Sequence, residues 1–256
     1  MADWIGRFSL EGRKALVTGA SKGLGAEICD VFADAGADVV ATARDEAGLK
    51  AAYDAVTGHG RRCVTLPCDL ADADSVRSMG QAALDAFGGI DILVNNAGAT
   101  KVAPAGDLTG DDWDFLMAVN ARAPFLLSQI VAPGMIERHS GKIINVSSQT
   151  GVVALDDHAA YASSKGALNS LTKSLAIEWA KHNIQVNAIC PTVVLTTMGT
   201  KVWGDEAKAK PMLDRIPAGR FGEPIEIADL ALFLASSASS FINGELVMIE
   251  GGYTSL

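Results

Sequence analysis

Apolar residues along the chain alternate between short continuous runs and longer stretches with helical spacing. The short runs predict seven β-strands, at 15–18, 38–42, 62–66, 90–94, 142–146, 185–189 and 245–249. The helical spacing predicts helices at 24–35, 46–57, 74–87, 113–138, 161–182 and 224–235. Apolar strands separated by helices are typical of a parallel sheet that is buried on both faces. The pattern therefore predicts an α/β fold, a single-domain doubly wound (Rossmann-type) sheet of about seven parallel strands with helices on both faces.

Two places interrupt this regular pattern. Pro133-Gly134 lies within the fourth helical segment, at 113–138, where proline removes a helix hydrogen bond, so a break or kink is predicted there. Residues 191–217, which follow the sixth strand, show the least regular pattern in the chain. Because ligands bind beyond the carboxyl ends of the strands in such sheets, we predict that this segment is a mobile substrate lid. An ordinary surface excursion is the alternative.

Composition and charge exclude several classes of protein. The chain has 256 residues, of which 49% are hydrophobic and 20% charged, as is usual for a globular protein. The net charge is −9, whereas a nucleic-acid-binding surface would be basic, so no nucleic-acid partner is predicted. We find no apolar core of signal-peptide length and no run of about 18 apolar residues. Neither a secretion signal nor a membrane span is predicted.

The cysteines give no sign of a metal centre. Cys29, Cys63, Cys68 and Cys190 form no Cys-x-x-Cys pair, and no histidine has metal-ligand spacing beside them. We predict no metal, reduced and mostly buried thiols, and a cytoplasmic location.

Tyr161 and Lys165 are the first candidates for chemistry. They are four residues apart in a predicted helix, so they lie on one face of it. A nearby cation favours the phenolate and lowers the pKa of a tyrosine. A tyrosine tuned in this way can exchange a proton during redox chemistry at a carbonyl or an alcohol. The spacing alone does not distinguish such a pair from two exposed side chains that only solvate the helix.

A glycine-rich segment, Thr18-Gly19-Ala20-Ser21-Lys22-Gly23-Leu24-Gly25, follows the first strand and begins the first helix. Glycines let the backbone turn tightly, and the amides of a helix N-terminus attract a pyrophosphate. The spacing is Gly-x-x-x-Gly-x-Gly, not the commoner Gly-x-Gly-x-x-Gly. Its position in the first βα unit favours a dinucleotide-binding loop over a simple turn.

The end of the second strand bears on the choice of coenzyme. A carboxylate there would hold the ribose 2′-hydroxyl of NAD(H), but the chain has Ala43 followed by Arg44. Arg44 and Lys22 are suited to binding a 2′-phosphate, so we predict NADP(H) in preference to NAD(H). The acidic Asp45 and Glu46 weaken this prediction, and the alternative is two solvated surface cations.

Together these motifs resemble those of the short-chain dehydrogenase/reductase family over almost the whole chain, from about Leu10 to Tyr253. Besides the glycine loop and the Tyr161/Lys165 pair, the chain has two further motifs of the family. They are Asn-Asn-Ala-Gly at 95–98 and Ser148, thirteen residues before the tyrosine. The resemblance implies one dinucleotide-binding and catalytic domain over residues 1–256, and a homotetramer. The catalytic residues that it implies are Asn120, Ser148, Tyr161 and Lys165.

The resemblance also implies which residues bind the cofactor. They are Gly19, Ser21, Lys22, Gly23, Leu24, Gly25, Arg44, Asp69, Leu70, Asn96, Ala97, Gly98, Tyr161, Lys165, Pro191, Val194 and Thr196. Asp69 would contact the adenine, and Lys165 the nicotinamide ribose. Thr192 stands where the family usually has glycine, which predicts a stiffer loop around the nicotinamide.

Residues 191–217 and the surroundings of Ser148 look like the L-xylulose and dicarbonyl reductase branch of the family. In that branch the residues that match Gln149, His158 and Trp203 line the substrate pocket together with the catalytic serine and tyrosine, here Ser148 and Tyr161. An amide and an imidazole can hydrogen-bond hydroxyls, and an indole can cover the apolar face of a polyol. The predicted substrate is therefore a ketose, a polyol or an α-dicarbonyl. For His158, a plain surface histidine is the alternative.

The mechanism that the resemblance implies is reversible hydride transfer between NADP(H) and a carbonyl carbon. Tyr161 would donate the proton, Ser148 would bind the carbonyl oxygen, Lys165 would lower the pKa of Tyr161, and Asn120 would hold a water leading to solvent. Three alternatives stay open at this point. They are a 3-oxoacyl thioester reductase, an NAD-dependent polyol dehydrogenase, and a nucleotide-sensing module without catalysis.

Overall fold

The structure is a computed structural model that describes residues 5–196, 199–200, 203 and 205–255. Its centre is a seven-stranded parallel sheet with the order β3-β2-β1-β4-β5-β6-β7. The strands are β1 Lys14–Thr18, β2 Asp38–Ala43, β3 Cys63–Pro67, β4 Ile92–Asn95, β5 Gly141–Val146, β6 Ile184–Pro191 and β7 Leu246–Ile249. The predicted fold class is confirmed, and every predicted strand end lies within two residues of the observed one.

Helices cover both faces of this sheet. They are α1 Gly23–Asp34, α2 Glu46–Gly58, α3 Ala73–Phe87, α4 Gly110–Met117, α5 Ala123–Glu137, α6 Ala159–Trp179, α7 Glu206–Leu213 and α8 Pro224–Ala235. Neighbouring residues of β1 point to opposite faces: Val17 packs with α1, α2 and α8, and Leu16 with α3, α5 and α6. Burial on both faces is the reason that the strands are almost continuously apolar.

The order of the strands locates the crevice. β1 pairs with β2 on one side and with β4 on the other, so the chain changes its direction across the sheet at this point. In open parallel sheets this change leaves a crevice at the carboxyl ends of the two diverging strands. The glycine loop follows β1, and the Asn-Asn-Ala-Gly segment begins at the end of β4.

The long helical segment predicted at 113–138 is interrupted at a different place from the one predicted. α5 runs through Pro133, so the predicted break is absent there. The proline removes only the hydrogen bond to Gln129, which is exposed to solvent, so water can replace that bond. The interruption is a π-helical turn at Ala118–Arg122, in which the N–H of Ala123 donates to the carbonyl five residues earlier. Such turns are frequent at functional sites, and this one carries Asn120.

The stretch Gly110–Glu137 has the length and the mean hydropathy, 1.4, of a helix that could cross a membrane. However, 61% of the 18-residue window with this hydropathy is buried inside the protein. Its polar side chains are also satisfied within the fold, since Asn120 and Ser128 are both fully buried and hydrogen-bonded to backbone groups. These features identify it as a core helical segment of the sheet's second face.

Residues 191–217 are less irregular than predicted, because they contain α7. Asp205 caps α7 by accepting a hydrogen bond from the backbone N–H of Ala207, and Lys210 pairs with Asp214 at 2.9 Å. Sequence analysis missed this helix because Pro211 lies within it and it carries no clear apolar stripe. Part of the predicted lid, namely residues 197–198, 201–202 and 204, lies outside the described residues.

Candidate active site

Thr18 joins the two loops that form the crevice. Its Oγ1 accepts hydrogen bonds from the backbone N–H groups of Asn96 and Ala97, both at 3.0 Å, and donates to the carbonyl of Val94. In return the side-chain amide of Asn96 donates to the carbonyl of Thr18 at 2.8 Å. Thr18 is therefore an organising residue to which sequence analysis gave no role. Its place at the end of β1, opposite the Asn-Asn-Ala-Gly segment, was the available signal.

The loop glycines are needed for different reasons. Gly19 and Gly23 have φ values of +68° and +57°, which glycine adopts at no steric cost. Gly25 is needed because of a close approach: a Cβ there would lie 2.3 Å from the carbonyl oxygen of Gly19 and 2.5 Å from Nδ2 of Asn96. The loop thus brings the N-terminus of α1, with its unpaired amides, directly to the crevice.

A cavity of about 370 Å³ extends from this loop across the carboxyl ends of β1, β2 and β4. Most of the predicted cofactor residues line it, namely Gly19, Ser21, Lys22, Gly23, Leu24, Arg44, Asp69, Leu70, Asn96, Ala97, Gly98 and Thr196. Seven further residues line it that were not among the predicted cofactor residues, namely Thr42, Ala43, Asp45, Cys68, Ala99, Phe115 and Val119. Loop amides and two cations beside an apolar floor suit a phosphate-bearing dinucleotide, so these residues fit the predicted cofactor.

A second cavity, of about 280 Å³, adjoins the first one. Ser148 reaches it from the end of β5, and Tyr161 and Lys165 reach it from the first turns of α6. The predicted nicotinamide-binding residues Pro191, Val194 and Thr196 line it from the end of β6 onwards. The fold therefore brings together, at one point, a hydroxyl, a phenol and an amine from three separate parts of the chain.

Burial is the largest influence on the pKa of Tyr161. Burial raises the pKa of the phenol above its usual value, and hydrogen bonding with the Ser148 hydroxyl acts in the opposite direction. Lys165 lies with its Nζ 5.8 Å from the centroid of the tyrosine ring, and it donates a hydrogen bond to the carbonyl of Val146 at 2.8 Å. The net shift of the Tyr161 pKa is thus upward, opposite to the lowering that sequence analysis predicted from Lys165. The contribution of Lys165 to this pKa stays a prediction.

Lys165 itself is strongly affected by its surroundings. It is only 3% exposed, and burial lowers its pKa to about 8. The folded protein therefore binds this proton more weakly than the unfolded chain, in which a lysine has a pKa of about 10.4. It follows that the buried ammonium opposes folding below pH 8, and that this cost fades between about pH 8 and 10.5.

We expect Lys165→Met to unfold at a higher temperature than the wild type at pH 7, since methionine removes the buried charge. Each kcal/mol gained corresponds to roughly 2–4 °C for a domain of this size. Calorimetry without nucleotide, from pH 6 to 10, should show the difference shrinking as the wild-type lysine loses its proton. Lys173→Met, an exposed position on the same helix, serves as the control. A difference that stays constant up to pH 10 would contradict this account.

Asn120 connects the π-turn to the loop after β4. Its Oδ1 accepts from the N–H of Ala99, and its Nδ2 donates to the carbonyl of Ala99 and to Oγ of Ser164, all at 2.8–2.9 Å. Both amide hydrogens are used, so only one acceptor position of Oδ1 is left for a water molecule. The water-holding role of Asn120 stays a prediction.

The three predicted substrate contacts have different surroundings. His158 is half-buried, with its ring edge-on to that of Tyr161 and the centroids 6.1 Å apart. Gln149 is 1% exposed, and its Oε1 accepts no hydrogen bond from the described residues. Trp203 packs against Phe221, at 5.7 Å between ring centroids. Among the described residues, His158 alone of the three makes a ring contact with a predicted catalytic residue, and none of the three lines the second cavity.

The cysteines are not candidates for nucleophilic chemistry. All four are free thiols. Burial raises the pKa of Cys63 and of Cys190 to about 11 and also raises the pKa values of Cys29 and Cys68, so these groups stay protonated at neutral pH.

Comparison with known proteins gives consistent results. The family described as Enoyl-(Acyl carrier protein) reductase matches residues 19–254. D-threitol dehydrogenase of Mycolicibacterium smegmatis is 44% identical over 96% of this chain and 95% of its own length. L-xylulose reductase of Bos taurus is 45% identical over 95% of this chain and 97% of its own length. The crystal structure of a gluconate 5-dehydrogenase from Burkholderia cenocepacia, in complex with NADP and tartrate, is 38% identical and covers 98% of this chain and 99% of its own, with a TM-score of 0.92.

Proposed function

The chain belongs to the short-chain dehydrogenase/reductase family, and from this premise we propose that it transfers a hydride between NADP(H) and a carbonyl or secondary alcohol of a small polar substrate. The substrate class is a ketose, a polyol or an α-dicarbonyl. The observation that carries this proposal is the convergence of Ser148, Tyr161 and Lys165 on a cavity that adjoins the glycine loop. The names of its relatives, a threitol dehydrogenase and a xylulose reductase, support the substrate class.

The cofactor, when bound, donates or accepts the hydride, and the chain holds and orients it. The amides at the start of α1 are proposed to bind the pyrophosphate. Asp69 and Leu70 are proposed to bind the adenine, and Lys165 the nicotinamide ribose. The segment from Pro191 to Thr196 is proposed to hold the nicotinamide.

The proton transfer is assigned to Tyr161. A raised pKa keeps the phenol protonated at neutral pH, which suits a proton donor to the alkoxide that forms when a carbonyl is reduced. Ser148 is proposed to donate a hydrogen bond to the same oxygen and to stabilise its developing charge. Lys165 would then help to return the proton through a water held near Asn120. Alcohol oxidation would instead need the phenolate, which burial disfavours.

The surroundings of the cavity support a hydroxylated substrate. His158 lies beside Tyr161, and its imidazole can hydrogen-bond a hydroxyl. Gln149 is buried outside the lining of the cavity in this structure, so its predicted substrate contact would need a rearrangement of the side chain. Trp203 belongs to an apolar cluster with Phe221 and Tyr253. This cluster joins the described part of residues 191–217 to the C-terminal end of the chain, which supports a single catalytic domain. The segment is proposed to act as the lid of that domain.

NADP(H) is the proposed coenzyme because Arg44 and Lys22 both line the cofactor cavity. The NADP bound to the Burkholderia relative supports this choice. Asp45 lines the same cavity and is the feature that favours NAD(H).

We expect Arg44→Asp to lower kcat/KM for NADPH by roughly 10- to 100-fold, since a charge-assisted hydrogen bond contributes about 1.5–3 kcal/mol. The same change should leave kcat/KM for NADH unchanged or higher, because a carboxylate can accept from a 2′-hydroxyl. Initial rates with both coenzymes measure this. Arg77→Asp, on the exposed side of α3, is the matched control. A wild-type preference for NADH would refute the phosphate-binding role.

The substrate class is tested by initial rates with NADPH and a panel of pentuloses, 2,3-butanedione and 3-oxoacyl thioesters. We expect the ketoses or the diketone to give the highest kcat/KM. If the thioesters instead give a much higher kcat/KM, the protein is a 3-oxoacyl thioester reductase and the proposed substrate class is wrong. If NADPH binds but no carbonyl compound is reduced, the protein is a nucleotide sensor.

A homotetramer is the proposed assembly. Exposed apolar side chains support it: Phe125 on α5 and Ile177 on α6 are 39% and 81% exposed, and Phe241 near β7 is fully exposed. Light scattering on the purified protein tests the assembly. The four free thiols support a cytoplasmic location.

A further inference from the structure

A third cavity, of about 320 Å³, lies at the opposite end of the sheet from the active site. Arg13 lies just before β1, Lys142 near the amino end of β5, and Gln185 near the amino end of β6, and Ser237 contributes from the turn after α8. Because the strands are parallel, the length of a strand separates this cavity from the two cavities at the carboxyl ends. Anything bound here is remote from the proposed hydride transfer.

Two cations line this cavity. Lys142 is half-buried, and its Nζ donates a hydrogen bond to Oγ of the fully buried Ser239 at 3.2 Å. Arg13 is exposed. Among the residues that the structure describes, no carboxylate oxygen lies within 4.0 Å of either side-chain charge.

The carboxylates that share the cavity are engaged elsewhere. Glu11 pairs with Arg61 at 3.0 Å. Asp91 accepts a hydrogen bond from the backbone N–H of Lys14 at 3.1 Å and pairs with Arg138 at 3.3 Å. These two acids reduce the local positive potential, yet neither provides Lys142 or Arg13 with a contacting counterion.

The lack of a contacting counterion makes the charged form of Lys142 less favourable. Burial, together with the positive charge of Arg13, lowers the pKa of Lys142 to about 8. A half-buried ammonium without a counterion is unfavourable, and a bound anion would relieve both the desolvation and the repulsion between the two cations.

We propose that this cavity binds a small anion, a phosphate or carboxylate group of a polar metabolite, through Lys142 and Arg13. After its bond to Ser239, the lysine keeps two N–H donors, and the guanidinium offers a planar fork that matches two oxygens of one anion. The cavity is larger than a bare phosphate needs, and Gln185 and Ser237 offer polar contacts to the rest of such a molecule. Such a ligand would stabilise the folded chain by mass action.

The test uses titration calorimetry and thermal unfolding of the full-length protein at pH 7, with inorganic phosphate and malonate as separate probes and chloride added to keep the ionic strength constant. Saturating NADPH is present so that Lys22 and Arg44 do not contribute. We expect saturable binding of at least one probe, and the better probe identifies phosphate or carboxylate as the preferred group. Lys142→Met and Arg13→Gln should each weaken this binding by about tenfold or more.

Lys101→Met, which removes an exposed lysine paired with Asp112 elsewhere on the surface, is the control and should bind like the wild type. Arg13 is exposed, so Arg13→Gln gives a folded variant even if Lys142→Met does not. Binding should also weaken as the pH rises through about 8, where the lysine loses its charge. Equal responses of the wild type, Lys142→Met and Arg13→Gln to the anions, or no binding at millimolar concentration, would overturn the proposal.

Discussion

Tyr161→Phe is expected to lower kcat for carbonyl reduction by roughly 10²- to 10⁴-fold, the range typical of a lost general acid. The variant removes one oxygen and leaves the ring, so the packing around His158 and Lys165 should be retained. NADPH should therefore bind almost as tightly as before. The loss should appear in kcat at saturating substrate, and it should persist at every pH at which the wild type is active, because no other phenol or carboxyl group lines the described part of the catalytic cavity.

Initial rates and NADPH fluorescence titrations on the same preparations separate chemistry from binding. Tyr53→Phe, on the exposed surface of α2, removes a hydroxyl far from the cavity and should behave like the wild type. Full carbonyl-reductase activity of Tyr161→Phe would remove the proton-donor assignment, and with it the mechanism proposed above.

Gly25→Ala is expected to weaken NADPH binding by more than tenfold, which corresponds to about 1.4 kcal/mol. The added Cβ would meet the carbonyl oxygen of Gly19 at 2.3 Å and the side-chain amide of Asn96 at 2.5 Å. The first contact is with backbone and cannot be relieved by a rotamer change. The loop must therefore move away from Asn96, which also disturbs the hydrogen bond from that amide to Thr18. Overpacking of this kind also costs about 1–3 kcal/mol of folding stability.

The matched control is Gly58→Ala, at the end of α2, where an added Cβ meets no atom within 4 Å. This variant should bind NADPH normally and should be as stable as the wild type or slightly more so. Calorimetric unfolding and coenzyme titration of both variants measure the two effects. Equal NADPH affinity in Gly25→Ala and Gly58→Ala would show that the close packing of the loop is not needed for binding.

The strands could be predicted to within two residues because the five inner strands are buried and largely apolar. The strands β3 and β7 at the two edges of the sheet are only partly buried, but they are still short apolar runs. Helix α7 could not be predicted, since its signals are a capping aspartate and an ion pair, with no apolar stripe and with Pro211 inside it. The π-turn was also missed. An extra residue between α4 and α5 leaves the apolar spacing within each of these helices the same. The visible Pro133 instead suggested a break at a place where the helix continues.

Sequence analysis predicted that Ser148, Tyr161 and Lys165 meet at one cavity, but it did not predict the electrostatics around them. The spacing placed Lys165 on the same helix face as Tyr161. It could not reveal that the Lys165 ammonium donates a hydrogen bond to the carbonyl of Val146, or that burial is the main cause of the pKa shifts of both residues. Thr18 was overlooked for a related reason. Its hydroxyl forms hydrogen bonds with residues that are 76 or more positions away in sequence, so its neighbours in the sequence do not reveal the contact. Its position at the end of β1 was the available signal.

The widened turn at Ala118–Arg122 makes the length of this segment as important as its composition. An α-helix advances by about 100° per residue, so deleting one residue here would rotate α4 relative to α5 by about that angle. Phe115 would no longer line the cavity beside the glycine loop, and Asn120 would lose its hydrogen bonds with Ala99. Homologues should therefore accept substitutions at the exposed Arg122 more readily than any insertion or deletion between α4 and α5. In an alignment of homologues, gaps should be absent between α4 and α5.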